Sequence, residues 1–208
     1  TAGDNIKERS AGNIFRYNFI RNGTNLISLR DPQSNGAHED SQLDTSGKKL
    51  SHLSFIYGNI FMVDLGHFYG MQDIVVAHGD GSFGDGAQYR RGDVYFYRNR
   101  VICNMDYTAY NAESIPIFCP INTVSPTTFH AYNNLFYGKG KTQGSNPPPW
   151  AIFGYQGVAD FKQNWTSSFI NAAWGSSNGG LAVGTLYNGT GLNGLTASAS
   201  DPGFTAFT

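Results

Sequence analysis

The stretch Phe55-Ile56-Tyr57-Gly58-Asn59-Ile60-Phe61 decides the fold, because it recurs. Its relatives are Ile14-Phe15-Arg16-Tyr17-Asn18-Phe19-Ile20 and Tyr95-Phe96-Tyr97-Arg98-Asn99-Arg100-Val101. Two more follow: Phe129-His130-Ala131-Tyr132-Asn133-Asn134-Leu135-Phe136 and Ala159-Asp160-Phe161-Lys162-Gln163-Asn164-Trp165. Each is an aromatic-rich strand with an Asn in or just after it. The aligned Asn residues stand at 18, 59, 99, 134 and 164, at intervals of 41, 40, 35 and 30. A drifting interval argues against a helical repeat, whose register is tight. It suits stacked strands joined by loops of varying length.

A second strand-like run follows in each of the first four intervals. These runs are 25–30, 73–78, 115–118 and 150–153, short, β-branched or aromatic, and mostly bounded by Gly, Asn or Pro. No stretch shows a long helical period with caps. The class is therefore all-β. The Asn belongs where a strand bends at a corner, since Asn tolerates the left-handed conformation. Asn side chains stacked from repeat to repeat can also hydrogen-bond to one another.

This pattern resembles the right-handed parallel β-helix of the pectate-lyase-like superfamily. The resemblance is carried by Ile6-Lys7-Glu8-Arg9-Ser10-Ala11-Gly12-Asn13 with Arg16-Tyr17-Asn18, by Val76-Ala77-His78-Gly79-Asp80, and by 89–97. It covers roughly residues 5–165. It implies a solenoid of about six coils with long loops. Coils fill 1–174, and 175–208 is a further coil or an extension of the same domain. The repeat is already running by residue 13, so the resemblance also implies that something covers the first coil: upstream sequence or another subunit.

Composition sets limits on function. Charged residues are 14% of 208, and the net charge is -1. A protein that tracks nucleic-acid phosphates would carry a basic face. No apolar run reaches the ~18 residues of a membrane span. Asp201 is the only charged residue in 163–208. That stretch reads as strand surface that is packed, glycosylated or covered by a partner, or as a weakly ordered tail. Cys103 and Cys119 are the only cysteines, and they form either one bridge or two free thiols.

Charge that can do chemistry gathers at two places. The first is Lys7, Glu8 and Arg9, with Arg30 and Asp31. This part resembles the β-helix polysaccharide lyases of the alginate lyase and chondroitinase B type. Arg9 falls where those enzymes carry a Lys base, and Ile27-Ser28-Leu29-Arg30 matches the strand whose terminal Arg assists. Arg stays protonated in proteins, so Lys7 is the alternative base on this face. Asp31 stands where the lyases carry a His. The second place is His78, Asp80, Asp85, Tyr89, Arg90 and Arg91 around a Gly-rich loop. His78 is a candidate acid or base. Asp80, Tyr89, Arg90 and Arg91 are candidate sugar-binding residues. The loop carboxylates make calcium the one cofactor to test; no other metal is assigned. Tyr69, Tyr89, Tyr107 and Tyr110 are candidates for stacking on sugar rings, and His130 is read as pointing outward from its strand. Of three sequons, Asn22 and Asn188 are the glycosylation candidates, whereas Asn164 is committed to the ladder.

Two functions follow. One is a secreted or cell-surface β-helix that binds or processes an acidic polysaccharide, as a lyase if it is an enzyme. The other is a structural surface or filament subunit, glycosylated or not, whose open ends self-associate.

Overall fold

The computed structural model describes residues 5–8, 12–23, 25–30, 43–50, 53–64, 73–78, 92–104, 115–121, 127–139, 150–153, 158–162, 164–166 and 170–173. All regular structure among them is strand, apart from a hairpin-like turn at 43–50. The strands are β1 (Ile6–Glu8), β2 (Asn13–Arg16), β3 (Phe19–Arg21), β4 (Asn25–Arg30), β5 (Leu53–Tyr57), β6 (Ile60–Asp64), β7 (Asp73–His78) and β8 (Gly92–Tyr97). They continue as β9 (Arg100–Asn104), β10 (Ile115–Ile121), β11 (Thr127–Tyr132), β12 (Leu135–Lys139), β13 (Trp150–Phe153), β14 (Val158–Lys162), β15 (Trp165–Thr166) and β16 (Ile170–Ala173). The four second runs read from the sequence are thus β4, β7, β10 and β13. Each aromatic segment is two strands with the Asn between them.

Every pairing is parallel and joins strands three places apart. Sheet 1 runs β1-β4-β7-β10-β13-β16, sheet 2 runs β2-β5-β8-β11-β14, and sheet 3 runs β3-β6-β9-β12-β15. Such an order is compatible with a solenoid of strands. Three parallel sheets need long connections, and the variable spans between the repeats supply them.

Strand alternation sends one set of side chains to a shared core. In sheet 2, Ile56, Phe96 and Ala131 form one inward row, with Val94 and Phe129 in the next. In sheet 3, Phe61, Val101 and Phe136 are in register. Sheet 1 adds Ile27, Leu29 and Val75. Rings join the rows: Phe61 and Phe96 stack at 5.6 Å, and Phe96 and Phe136 lie 6.3 Å apart. Phe96 and Phe136 therefore serve the core, as their inward strand positions require.

The bends between sheets 2 and 3 are held by the Asn residues. The backbone N–H of Asn18 donates to the side-chain carbonyl of Asn59 at 3.0 Å, and Asn59 donates to Asn99 at 2.9 Å. Asn99 donates to Asn134, and Asn134 to Asn164, both at 2.9 Å. Each side-chain amide of the first four repeats this step to the same oxygen. The second amide proton binds a strand carbonyl: Phe15 for Asn59, Ile56 for Asn99, Phe96 for Asn134 and Ala131 for Asn164. Only a side chain with two donors and an acceptor at one point can do this. Asn59, Asn99, Asn134 and Asn164 are buried, as such a network demands.

One expectation is corrected. The ladder Asn residues are not themselves left-handed. The residue before each of the first four takes that conformation: Tyr17 at φ 57°, Gly58 at 65°, Arg98 at 54° and Asn133 at 55°. Left-handed backbone costs a non-glycine residue about 1–2 kcal/mol. The Asn contributes its amide, and the strain falls one residue earlier. At Gly58 there is a second reason for glycine: a Cβ would meet the Tyr17 ring at 2.7 Å.

Asn99→Ala orphans the N–H and amide of Asn59 and the carbonyl of Ile56. We expect a loss of roughly 3 kcal/mol or more, since each buried orphan costs about 1–3. Asn18→Ala, at an exposed position, should cost well under half of that. Urea unfolding of the two variants checks the ratio.

Candidate functional site

Lys7 lies in β1 and is exposed. It is in register with Ser28 of β4, and Ser28 with Val76 of β7. Two residues on, Arg30 is in register with His78, and His78 with Ile121 of β10. The two rows are two residues apart along the strands, with Leu29 in register with Ala77 between them. Arg30 and His78 come from clusters far apart in the sequence, and the sheet sets them side by side. Leu26, Ile27, Ser28 and Leu29 are all buried, so both faces of β4 are covered along this stretch.

The other predicted residues divide as follows. Arg9, Asp31, Asp80, Asp85, Tyr89, Arg90, Arg91 and Asn188 lie outside the described residues, as do Tyr69, Tyr107, Tyr110 and the segment 175–208. Asn22 is half-buried at φ 48°, and its N–H donates to the Met62 carbonyl at 3.0 Å. Asn164 is buried, and its amide is spent on Ala131. Cys103 is a buried free thiol, and burial pushes its pKa well up. Among the described residues, no group of three or more His, Cys, Asp or Glu is placed to hold a metal ion. No helix among them is long and apolar enough to cross a membrane.

The outer face of sheet 2 carries a second polar cluster. His130 sits in β11 between the buried Phe129 and Ala131, so alternation turns it outward. Its Nε2 lies 2.9 Å from Oδ1 of Asp93 in β8. Its Nδ1 lies 3.1 Å from Oδ2 of Asp160 in β14 and 3.1 Å from the Tyr132 hydroxyl. That hydroxyl donates to Asp160, and the Lys48 ammonium donates to Asp93. One chain of hydrogen bonds thus crosses three strands, from the 43–50 turn to Tyr132. The turn itself is held by Asp44, which accepts from the N–H groups of Ser46 and Lys48, both at 2.8 Å.

The electrostatics follow from these contacts. Burial pushes the Asp93 carboxyl up. The hydrogen bonds and charges of Lys48 and His130 outweigh that and hold it below the ordinary value. Asp93 in turn raises Lys48. Tyr132 is raised first by burial and then by its bond to Asp160, so it stays a protonated donor and makes a poor base. With both carboxylates engaged, the cluster is better suited to fixing strands and presenting polar atoms than to moving protons.

Aromatic rows flank the cluster. Phe55 and Tyr95 stack at 5.2 Å and 11°, and Tyr95 and His130 at 4.6 Å and 12°. In the next outward row Tyr57 and Tyr97 stack at 4.9 Å and 9°, and Tyr17 meets Tyr57 edge-on at 5.7 Å. In-register strands about 4.8 Å apart impose such stacking. The ring faces are turned to one another. This surface therefore offers ring edges and hydroxyls to a ligand rather than open faces. Arg16 reaches it as well, donating to the Tyr57 hydroxyl at 3.3 Å. The sequence signal for this site was the shared register of Tyr95 and His130 after alignment on the Asn residues.

Asp93 has a depressed folded pKa, so its stabilisation is present above its unfolded value of about 3.9. It is lost as pH falls through the lower folded value. Lys48 is raised, so its share persists below about 10.4 and is lost at higher pH. We expect Asp93→Asn to cost about 1 kcal/mol at neutral pH, the pair being partly solvated. It should also flatten the acid limb of a melting-temperature profile. An unchanged acid limb would show that the Lys48–Asp93–His130 contacts add nothing to stability.

No protein-family model, no curated protein and no solved structure matches the chain.

Proposed function

We propose that the protein is a right-handed parallel β-helix of about six coils, secreted or held at the cell surface, that binds or processes an acidic polysaccharide. The observation that carries this reading is the register of Arg30 with His78 in adjacent strands, with Lys7 in the row two positions away. A uronan supplies the matching chemistry. Guanidinium pairs with a uronate carboxylate and makes the adjacent C5 proton more acidic. His78 or Lys7, once neutral, removes that proton. The electron pair forms the C4–C5 double bond, the C4–O bond breaks, and the leaving oxygen takes up a proton. His is the better base near neutral pH. Calcium, supplied by the solution or held by the Asp80–Asp85 loop, would neutralise further carboxylates.

The test is ultraviolet absorbance of unsaturated uronate from alginate, pectate and chondroitin, with and without calcium. Arg30→Ala and His78→Ala should each lower the rate by about a hundredfold or more. No absorbance change and no retention on any of the three polymers would overturn the reading.

A second reading has its own support. Among the described residues, β1, β2 and β3 each end one of the three sheets. Beside that edge Ile14, Tyr17 and Phe19 are exposed. The Asn18 side-chain oxygen accepts no hydrogen bond among the described residues, whereas its counterparts in the ladder accept two. Such an edge templates further strand pairing, so a self-associating structural subunit is the alternative. Sedimentation velocity at rising concentration tests it: that reading requires growing oligomers, and Phe19→Ser should suppress them.

A further inference from the structure

At the bend between sheets 2 and 3 the surface opens into a shallow groove of ≈ 430 Å³. Arg98, Arg100, Asn133, Leu135 and Trp165 line it above the ladder residues Asn99 and Asn134, and none of these is acidic. We propose that this groove is a binding site for a uronate unit of an acidic glycan, with Arg98 as its carboxylate-binding residue.

Three features point there. The first is the position of Arg98 at the bend. The bend imposes left-handed backbone on whatever residue stands there: Tyr17, Gly58 and Asn133 hold the matching positions. Arg98 takes that conformation at φ 54°, with its N–H fixed by the Tyr132 carbonyl at 3.1 Å, so the fold sets where its side chain leaves the backbone.

The second feature is the side chain itself. Arg98 is exposed, and its guanidinium makes no hydrogen bond or ion pair among the described residues. It therefore does not earn its place by holding the fold. Arg100, also exposed, stands two residues along the same bend. A planar guanidinium matches a carboxylate bidentately, and a second cation nearby strengthens the attraction.

The third feature is the remaining wall. Trp165 is partly exposed on the groove and does not belong to the stacked rows of sheet 2. An indole suits the apolar face of a pyranose, and the Asn133 amide can both donate to and accept from sugar hydroxyls. Cation, amide and aromatic wall together fit an anionic sugar better than a bare anion.

This inference rests on the acidic-glycan reading but concerns a different surface from the Arg30–His78 pair. Oligogalacturonate is the probe, titrated by calorimetry and by tryptophan fluorescence. Arg98→Gly is the central variant, because it removes the guanidinium and relieves the left-handed strain together. We expect binding to weaken roughly ten- to a hundredfold with no fall in melting temperature. Arg98→Lys should bind between the two. Trp165→Phe should abolish the fluorescence response while Trp150 and Trp174 remain. Unchanged binding in Arg98→Gly overturns the proposal, and so does a lower melting temperature, which would make Arg98 a structural residue. Equal binding of inorganic phosphate and oligogalacturonate overturns the glycan assignment. If polymer retention survives Arg98→Gly but is lost in Arg30→Ala, the groove alone fails. If the unaltered protein retains no acidic polymer, both readings fail.

Discussion

The chain of amide hydrogen bonds from Asn18 to Asn164 is the constraint on which the rest depends. A backbone that turns from one sheet into the next leaves N–H and carbonyl groups that neither ladder can pair. Buried, each would cost about 1–3 kcal/mol. The Asn side chain satisfies them at each bend and ties each repeat to the next. It also fixes the height at which strands enter sheets 2 and 3, and so their register. With register fixed, Phe96 and Phe129 face the core, while Tyr95 and His130 face out.

That register explains why each surface is a set of rows. Like positions in successive repeats stand about one strand spacing apart, so similar residues meet face to face. Phe55, Tyr95 and His130 form such a row, and Tyr57 and Tyr97 another. Where charges replace rings, the same geometry builds the Lys48–Asp93–His130–Asp160 chain. Departures from the repeat carry the individuality of the molecule. Arg98, at a bend position that elsewhere holds Tyr17, Gly58 or Asn133, lines a basic groove. Arg30 and His78 close their strands with charge where the rows before them are apolar.

Much of this was legible in the sequence. Aromatic strands ending in Asn, at drifting intervals, were enough to locate the bends, the ladder and the second strand of each interval. Left-handed backbone is less visible. Asn was the natural residue to assign it to, yet the strain sits on Tyr17, Arg98 and Asn133, because the ladder Asn must keep its own N–H aligned with the next repeat. His130 was legible only as outward-facing. Its partners Asp93 and Asp160 lie 37 and 30 residues away, and no local pattern joins them.

The sequence by itself determined the class of fold, the positions of the bends and the inward rows. These rest on period-two alternation and on a side chain with a unique set of donors and acceptors, and both are local properties. The tertiary structure alone decided which polar residues meet. Loops of different length separate the repeats, so sequence distance says nothing about which residue of one strand stands beside which residue of the next. The register of Arg30 with His78, the His130 chain and the Arg98 groove exist only once the strands are stacked, with the Asn ladder and the buried rows holding them in place.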